Sequence, residues 1–138
     1  MSRRFVKGTP SVEFKNMYQT TRNAFEVALE VLEKGAGITG EEVNNRVCDV
    51  FEQAGYQTIR DGDIDESFLH STGHAIGLEL HEPPRLVDET DELAAGTVLT
   101  VEPGLYIHEH GGVRIEDMVV VEEDGYRNLN NYHYDWEL

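Results

Sequence analysis

Cysteine is nearly absent from this chain. Cys48 is the single thiol in 138 residues, which excludes an internal disulfide and leaves a small buried hydrophobe beside Val47 and Phe51. Basic side chains are also scarce, 11 Lys and Arg against 27 Asp and Glu, for a formal net charge of −16. Surfaces that take nucleic acid or anionic membrane need clustered cations, so neither partner is expected. Such charge is either a solubility device in a salt-rich cytoplasm or the mark of an ordinary acidic protein. No apolar run approaches the roughly 20 residues of a membrane span. Ser2-Arg3-Arg4-Phe5 resembles a twin-arginine export signal, but polar residues 7–16 stand where its apolar segment belongs. A cytoplasmic protein is expected. With 4 prolines, no internal repeat and 39% hydrophobic residues, the chain reads as one soluble globular domain.

Helical signals come first. Phe14, Met17, Tyr18, Thr21, Phe25, Ala28, Leu29 and Leu32 recur at three- and four-residue steps between Thr9-Pro10-Ser11 and Gly35, so period and caps agree on a long amphipathic helix. Thr39-Gly40-Glu41-Glu42 has capping-box spacing, and Val43, Val47, Val50, Phe51 and Ala54 form an apolar stripe closing at Gly55. A second helix is predicted, packed antiparallel to the first across a short glycine-rich link. Beyond Tyr56 the period changes. Residues 57–60 read as a strand and 61–66 as a solvated acidic loop. Gly73 and Gly77 argue against a helix in 69–80, which reads as strand, turn, strand. Residues 98–101, 105–108 and 118–121 carry β-type runs, broken by Pro103-Gly104, by a turn at Gly111-Gly112 and by Asp124-Gly125. Residues 130–138 read as an irregular tail whose Tyr132, Tyr134 and Trp136 dock on the body.

Three histidines, His70, His74 and His81, precede Glu102 and Glu116. One imidazole and two carboxylates on separate strand-like segments are what a divalent metal site on a sheet needs. Taken singly each has an ordinary explanation. Histidines near turns are mostly satisfied surface or core groups, Glu102 is a common strand-end residue, and Arg114 with Glu116, two apart on one strand face, is commonly an exposed ion pair. Jointly, H-x-x-G-H-x-x-G-x-x-x-H-E-x-P, then V-E-P-G, then G-G-V-R-I-E-D at these intervals form a pattern that chance does not readily produce.

That pattern resembles the pita-bread metallopeptidases, the family of prolidase, Xaa-Pro aminopeptidase and methionine aminopeptidase, and most closely its Xaa-Pro-cleaving branch, over about residues 3–129. The resemblance implies an α+β pita-bread fold, here its second half: two helices followed by a curved antiparallel sheet. It implies hydrolysis of the peptide bond before proline by a metal-activated water, with a peptide substrate as partner. His74, Glu102 and Glu116 match metal ligands of a site that normally holds two divalent ions. Mixed nitrogen and oxygen donors favour Mn²⁺, with Co²⁺, Zn²⁺ or Fe²⁺ as the other candidates. His70 and His81 match groups that contact substrate and the tetrahedral intermediate, Glu102 a proton relay, and Arg114 a support for the carboxylate cluster.

The family's two aspartate ligands precede the long helix, the second in an Asp-x-Thr-Arg sequence. Ser2-Arg3 takes the Thr-Arg place and Gly8-Thr9-Pro10 the helix start, so residues 1–138 are expected to be the C-terminal part of the catalytic domain without those aspartates. Three accounts follow: a fragment of a longer peptidase, a half completed by a homo-oligomeric or complementing chain at its open sheet edge, or a non-catalytic binding module.

Overall fold

The computed structural model describes residues 1–87 and 92–137. Helix α1, Val12–Leu32, starts where Ser11 accepts a hydrogen bond from the Phe14 N–H at 3.1 Å, and it buries Met17, Thr21, Ala24, Phe25, Ala28 and Leu32 along one stripe. It ends because Gly35 turns the chain at φ +78°; a Cβ there would lie 2.3 Å from the Glu123 carbonyl oxygen, so only glycine lets the helix end seat against the sheet. Helix α2, Gly40–Gln53, is capped by the Thr39 hydroxyl, which accepts from the Glu42 N–H at 3.2 Å. The return half of the expected capping box is replaced by a pairing of the Glu42 carboxylate with Lys34.

Among the described residues seven strands follow: β1 His74–Ala75, β2 Glu82–Arg85, β3 Val98–Val101, β4 Gly104–Ile107, β5 Gly111–Arg114, β6 Asp117–Glu122 and β7 Gly125–Asn128. A five-stranded antiparallel sheet has the order β2-β1-β3-β6-β7, and β4 pairs with β5 in a separate hairpin. The helices pack together and α1 crosses β3, β4 and β5. Phe25, Phe51, Phe68, Leu99, Leu105, Val113 and Ile115, all fully buried, fill the space between the layers. Cys48 is buried with them as expected.

The sheet departs from the sequence reading in four places. Residues 57–60 are not a strand: the Asp61 carboxylate accepts the Thr58 N–H at 2.8 Å and closes a short 3₁₀ turn, Ile59–Asp61. Within 69–80 only His74–Ala75 is extended, and its partner β2 runs through Pro83-Pro84, which an edge strand tolerates because one side of its backbone needs no donors. The turn expected at Gly111-Gly112 lies earlier, at residues 108–110, and Gly111 opens β5 at φ +84°. Finally, Gly125 does not end the sheet but begins β7, paired to β6 from Val119↔Asn128 to Glu122↔Gly125.

The tail does dock. The Tyr134 ring lies 5.5 Å from Phe25 and the Trp136 ring 6.2 Å from Phe14. Tyr132 meets Phe5 edge-on at 6.2 Å, although it remains 46% exposed. Leu138 lies outside the described residues.

Candidate active site

Residues 69–73 lie in neither helix nor strand, yet Thr72 and Gly73 are buried, so this segment is held by named partners rather than by a ladder. It delivers His74 to the short β1, where the His74 N–H donates to the Thr100 hydroxyl at 3.0 Å. The His74 Nδ1 sits 3.0 Å from the Ala75 carbonyl, which can only accept. Nδ1 therefore carries a proton, and Nε2 faces Glu102 Oε1, 3.2 Å away. A lone pair against a carboxylate is repulsive unless a proton or a cation lies between them. The pair is one nitrogen and one oxygen donor on a common point, 11% and 17% exposed, and it suits a divalent transition ion better than Ca²⁺.

Glu102 closes β3, anchored by its N–H to the Thr72 carbonyl at 2.7 Å, and the Thr100 hydroxyl lies 3.2 Å from its Oε1. The His81 ring lies 4.4 Å from that of His74. His70 donates from Nδ1 to the Ser71 carbonyl at 2.8 Å, and its Nε2 pairs with the Tyr106 hydroxyl at 3.0 Å. Arg114 in turn reaches that hydroxyl at 3.5 Å. Burial pushes the Tyr106 phenol up, against the opposing pull of Arg114. Burial alone would lower the Arg114 guanidinium, but Tyr106, Glu102 and Glu116 outweigh it and raise it.

His70, His74, His81, Glu102 and Arg114 thus share one cavity of about 250 Å³ with Ser71 and Arg85. Glu116 does not line it. Its backbone bridges to Ser2, its carboxylate takes the Ser2 hydroxyl, and the Met1 ammonium lies 3.7 Å off. Among the described residues no three His, Cys, Asp or Glu side chains converge closely enough to hold a metal ion. Arg114 and Glu116 do fall on one side while Val113 and Ile115 are fully buried on the other, and Arg114 is exposed at the cavity rim.

Sequence reasoning missed Tyr106, Thr100, Ser71 and Arg85. Thr100 had a legible signal, because it shares strand parity with Glu102. For Tyr106 the signal was in the glycines: a Cβ on Gly104 would lie 2.7 Å from the Tyr106 hydroxyl oxygen, and one on Gly112 2.8 Å from its ring. Those two glycines make room for the ring. Thr100→Val keeps shape and β propensity but strips the acceptor from the buried His74 N–H. It is expected to cost about 1–3 kcal/mol in denaturant unfolding. A loss indistinguishable from zero would mean that water reaches this N–H.

The model of metallopeptidase family M24 matches residues 1–123. The Xaa-Pro dipeptidase of Pyrococcus furiosus is 38% identical over 131 residues, 94% of this chain and 34% of that protein. The Xaa-Pro dipeptidase of Lactobacillus helveticus is 36% identical over 138 residues, covering 99% and 35%. Among solved structures, the Xaa-Pro dipeptidase from Bacillus anthracis superposes with a TM-score of 0.86 at 35% identity, over 99% of this chain and 36% of that one. The chain therefore spans about a third of the length of these relatives.

Proposed function

The chain belongs to metallopeptidase family M24 and carries the second half of the pita-bread fold, and on that premise we propose that it is the metal-binding half of an Xaa-Pro peptidase. The substrate is a peptide with proline after the scissile bond, by analogy with its Xaa-Pro dipeptidase relatives. The observation that carries this reading is the convergence of His74 Nε2 and the Glu102 carboxylate at 3.2 Å, inside a cavity that also gathers His70, His81 and Arg114.

His74 and Glu102 would hold the divalent ion, Mn²⁺ before Co²⁺, Zn²⁺ or Fe²⁺, and Glu116 would join them only once its carboxylate leaves the Ser2 hydroxyl. When bound, the ion supplies Lewis-acid polarisation of the scissile carbonyl and acidifies a water. Glu102 takes a proton from the attacking water and passes it to the proline nitrogen as the C–N bond breaks. His81, on the cavity wall beside His74, donates to the oxygen that gains charge at the carbonyl. Hydrogen bonds to Ser71 and Tyr106 fix the orientation of His70, which contacts the substrate. Arg114 balances the negative charge of Glu102 and Glu116. Three donors are fewer than a two-ion site needs, so further carboxylates outside this set would complete it.

Hydrolysis of an Ala-Pro dipeptide with added Mn²⁺ tests the proposal. Glu102→Gln is expected to lower the rate on the order of 10²–10⁴-fold, the worth of a positioned proton carrier, and Glu116→Gln is expected to lower it with a loss of Mn²⁺ affinity. A folded protein that carries the full ligand set and binds Mn²⁺ but leaves the dipeptide intact would overturn the peptidase reading and favour the binding-module account.

A further inference from the structure

We propose that Asn44, on α2 and outside every motif of the site, is a positioning residue for the His70–His74 segment and for Glu102, an inference that rests on the peptidase reading above. Asn44 is buried in the interior of a helix, where a short amide is a poor choice on propensity and costs free energy unless it is satisfied. Its partners explain it. Oδ1 accepts both the Thr72 N–H at 3.0 Å and the Thr72 hydroxyl at 2.8 Å. Because the backbone N–H can only donate, the amide orientation follows, and Nδ2 faces the Cys48 sulfur at 3.6 Å one turn along.

Thr72 lies two residues from His70 and two from His74, in a buried stretch with no strand partner to fix it. The Thr72 carbonyl accepts the Glu102 N–H at 2.7 Å, and the next carbonyl, of Gly73, accepts the Leu86 N–H at 2.8 Å. Both backbone polar groups of Thr72 are therefore committed. Asn44 holds the N–H side and Glu102 the carbonyl side, so the helix layer sets where the imidazole and the carboxylate meet. Such outer partners commonly govern metal affinity by 10–100-fold.

The test reads the histidine rings directly, by ¹⁵N chemical shifts at a pH of about 8.5, where imidazole is neutral. The parent protein is expected to show His70 and His74 protonated at Nδ1. Asn44→Leu, of similar volume, is expected to fold cooperatively while these signals move towards a mixture of tautomers, and to bind Mn²⁺ about 10–100-fold more weakly. Asn44→Asp keeps the acceptor and is expected to restore the parent ring pattern. A folded Asn44→Leu protein with unchanged ring signals overturns the proposal. If Asn44→Leu fails to fold, Thr72→Val decides in its place: it removes only the hydroxyl donor, a partial shift of the same signals supports the proposal, and none overturns it. A parent protein that binds no Mn²⁺ strikes the metallopeptidase reading alone, because the tautomer measurement still decides the role of Asn44.

Discussion

Replacing Asp117 with alanine is expected to cost the fold about 3–5 kcal/mol. Asp117 is fully buried and joins three parts of the chain. Its Oδ1 takes the Arg3 guanidinium at 2.7 Å, and its Oδ2 accepts the Tyr134 hydroxyl at 2.6 Å and the Asn128 amide at 2.8 Å. The Arg3 side chain is only 3% exposed, so alanine at 117 leaves a cation with neither water nor counter-charge. The ring of Tyr134 lies 4.1 Å from the Arg3 guanidinium and 3.6 Å from that of Arg22, which does not replace the lost carboxylate. Against a total stability of about 5–15 kcal/mol, this is a large fraction. Chemical denaturation checks it, and the double variant Arg3→Ala/Asp117→Ala should cost less than the sum of the single ones. A loss below about 1 kcal/mol for Asp117→Ala would mean that the pair is solvated. The consequence reaches the site, since Arg3 also donates to the Glu116 carbonyl at 2.9 Å. The clamp that ties both ends of the chain to β6 therefore fixes the backbone of a proposed metal ligand.

The helices were legible because their information is local. Ser11 and Thr39 cap the turns that immediately follow them, and the buried positions repeat at helical spacing. The strands were legible where β-type residues run together, as in β3, β4 and β6. β1 is two residues long and is defined by pairing with Glu82 and Arg85 on one side and Leu99 on the other, none of which a local pattern announces. β2 contains a dipeptide that propensity would reject and that only its edge position permits.

The site divides along the same line. His70, His74, His81, Glu102 and Arg114 were legible as motif residues, and the fold brings them to one cavity. What the motif did not reveal is the apparatus around them. Thr100, Tyr106 and Asn44 act through hydrogen bonds between segments far apart in sequence: Asn44 and Thr72 are 28 residues apart, as reflected in their buried bond, and His70 and Tyr106 36. A pattern of residue types along one segment carries no such pairing. Glu116 illustrates the opposite case, a motif residue whose carboxylate is occupied by Ser2, so that residue identity alone did not place it with His74 and Glu102.

Gly73→Ala is expected to be the most damaging single methyl in the chain's active-site segment. A Cβ at this position would lie 1.9 Å from the Thr100 carbonyl oxygen, 2.8 Å from its carbon and 3.1 Å from a methyl of Leu86. Thr100 belongs to β3, which is held between β1 and β6, so the obstacle is backbone in the middle of a sheet and has no rotamer by which to yield. Overpacking costs typically 1–3 kcal/mol where side chains absorb it; here about 3 kcal/mol or more is expected, as β1 is forced off β3. Gly96→Ala is the control, because Gly96 has φ +88° and nothing within 4 Å. Its cost is the dihedral alone, about 1–2 kcal/mol, and its Mn²⁺ binding should equal the parent's. Gly73→Ala should instead lose both, since the displaced His74 N–H leaves the Thr100 hydroxyl and the imidazole leaves Glu102. Denaturant unfolding and Mn²⁺ titration of the two variants separate the effects. A Gly73→Ala protein that lost less than about 1 kcal/mol and kept its Mn²⁺ affinity would show that β1 and β3 do not approach this closely, and with them His74 and Glu102.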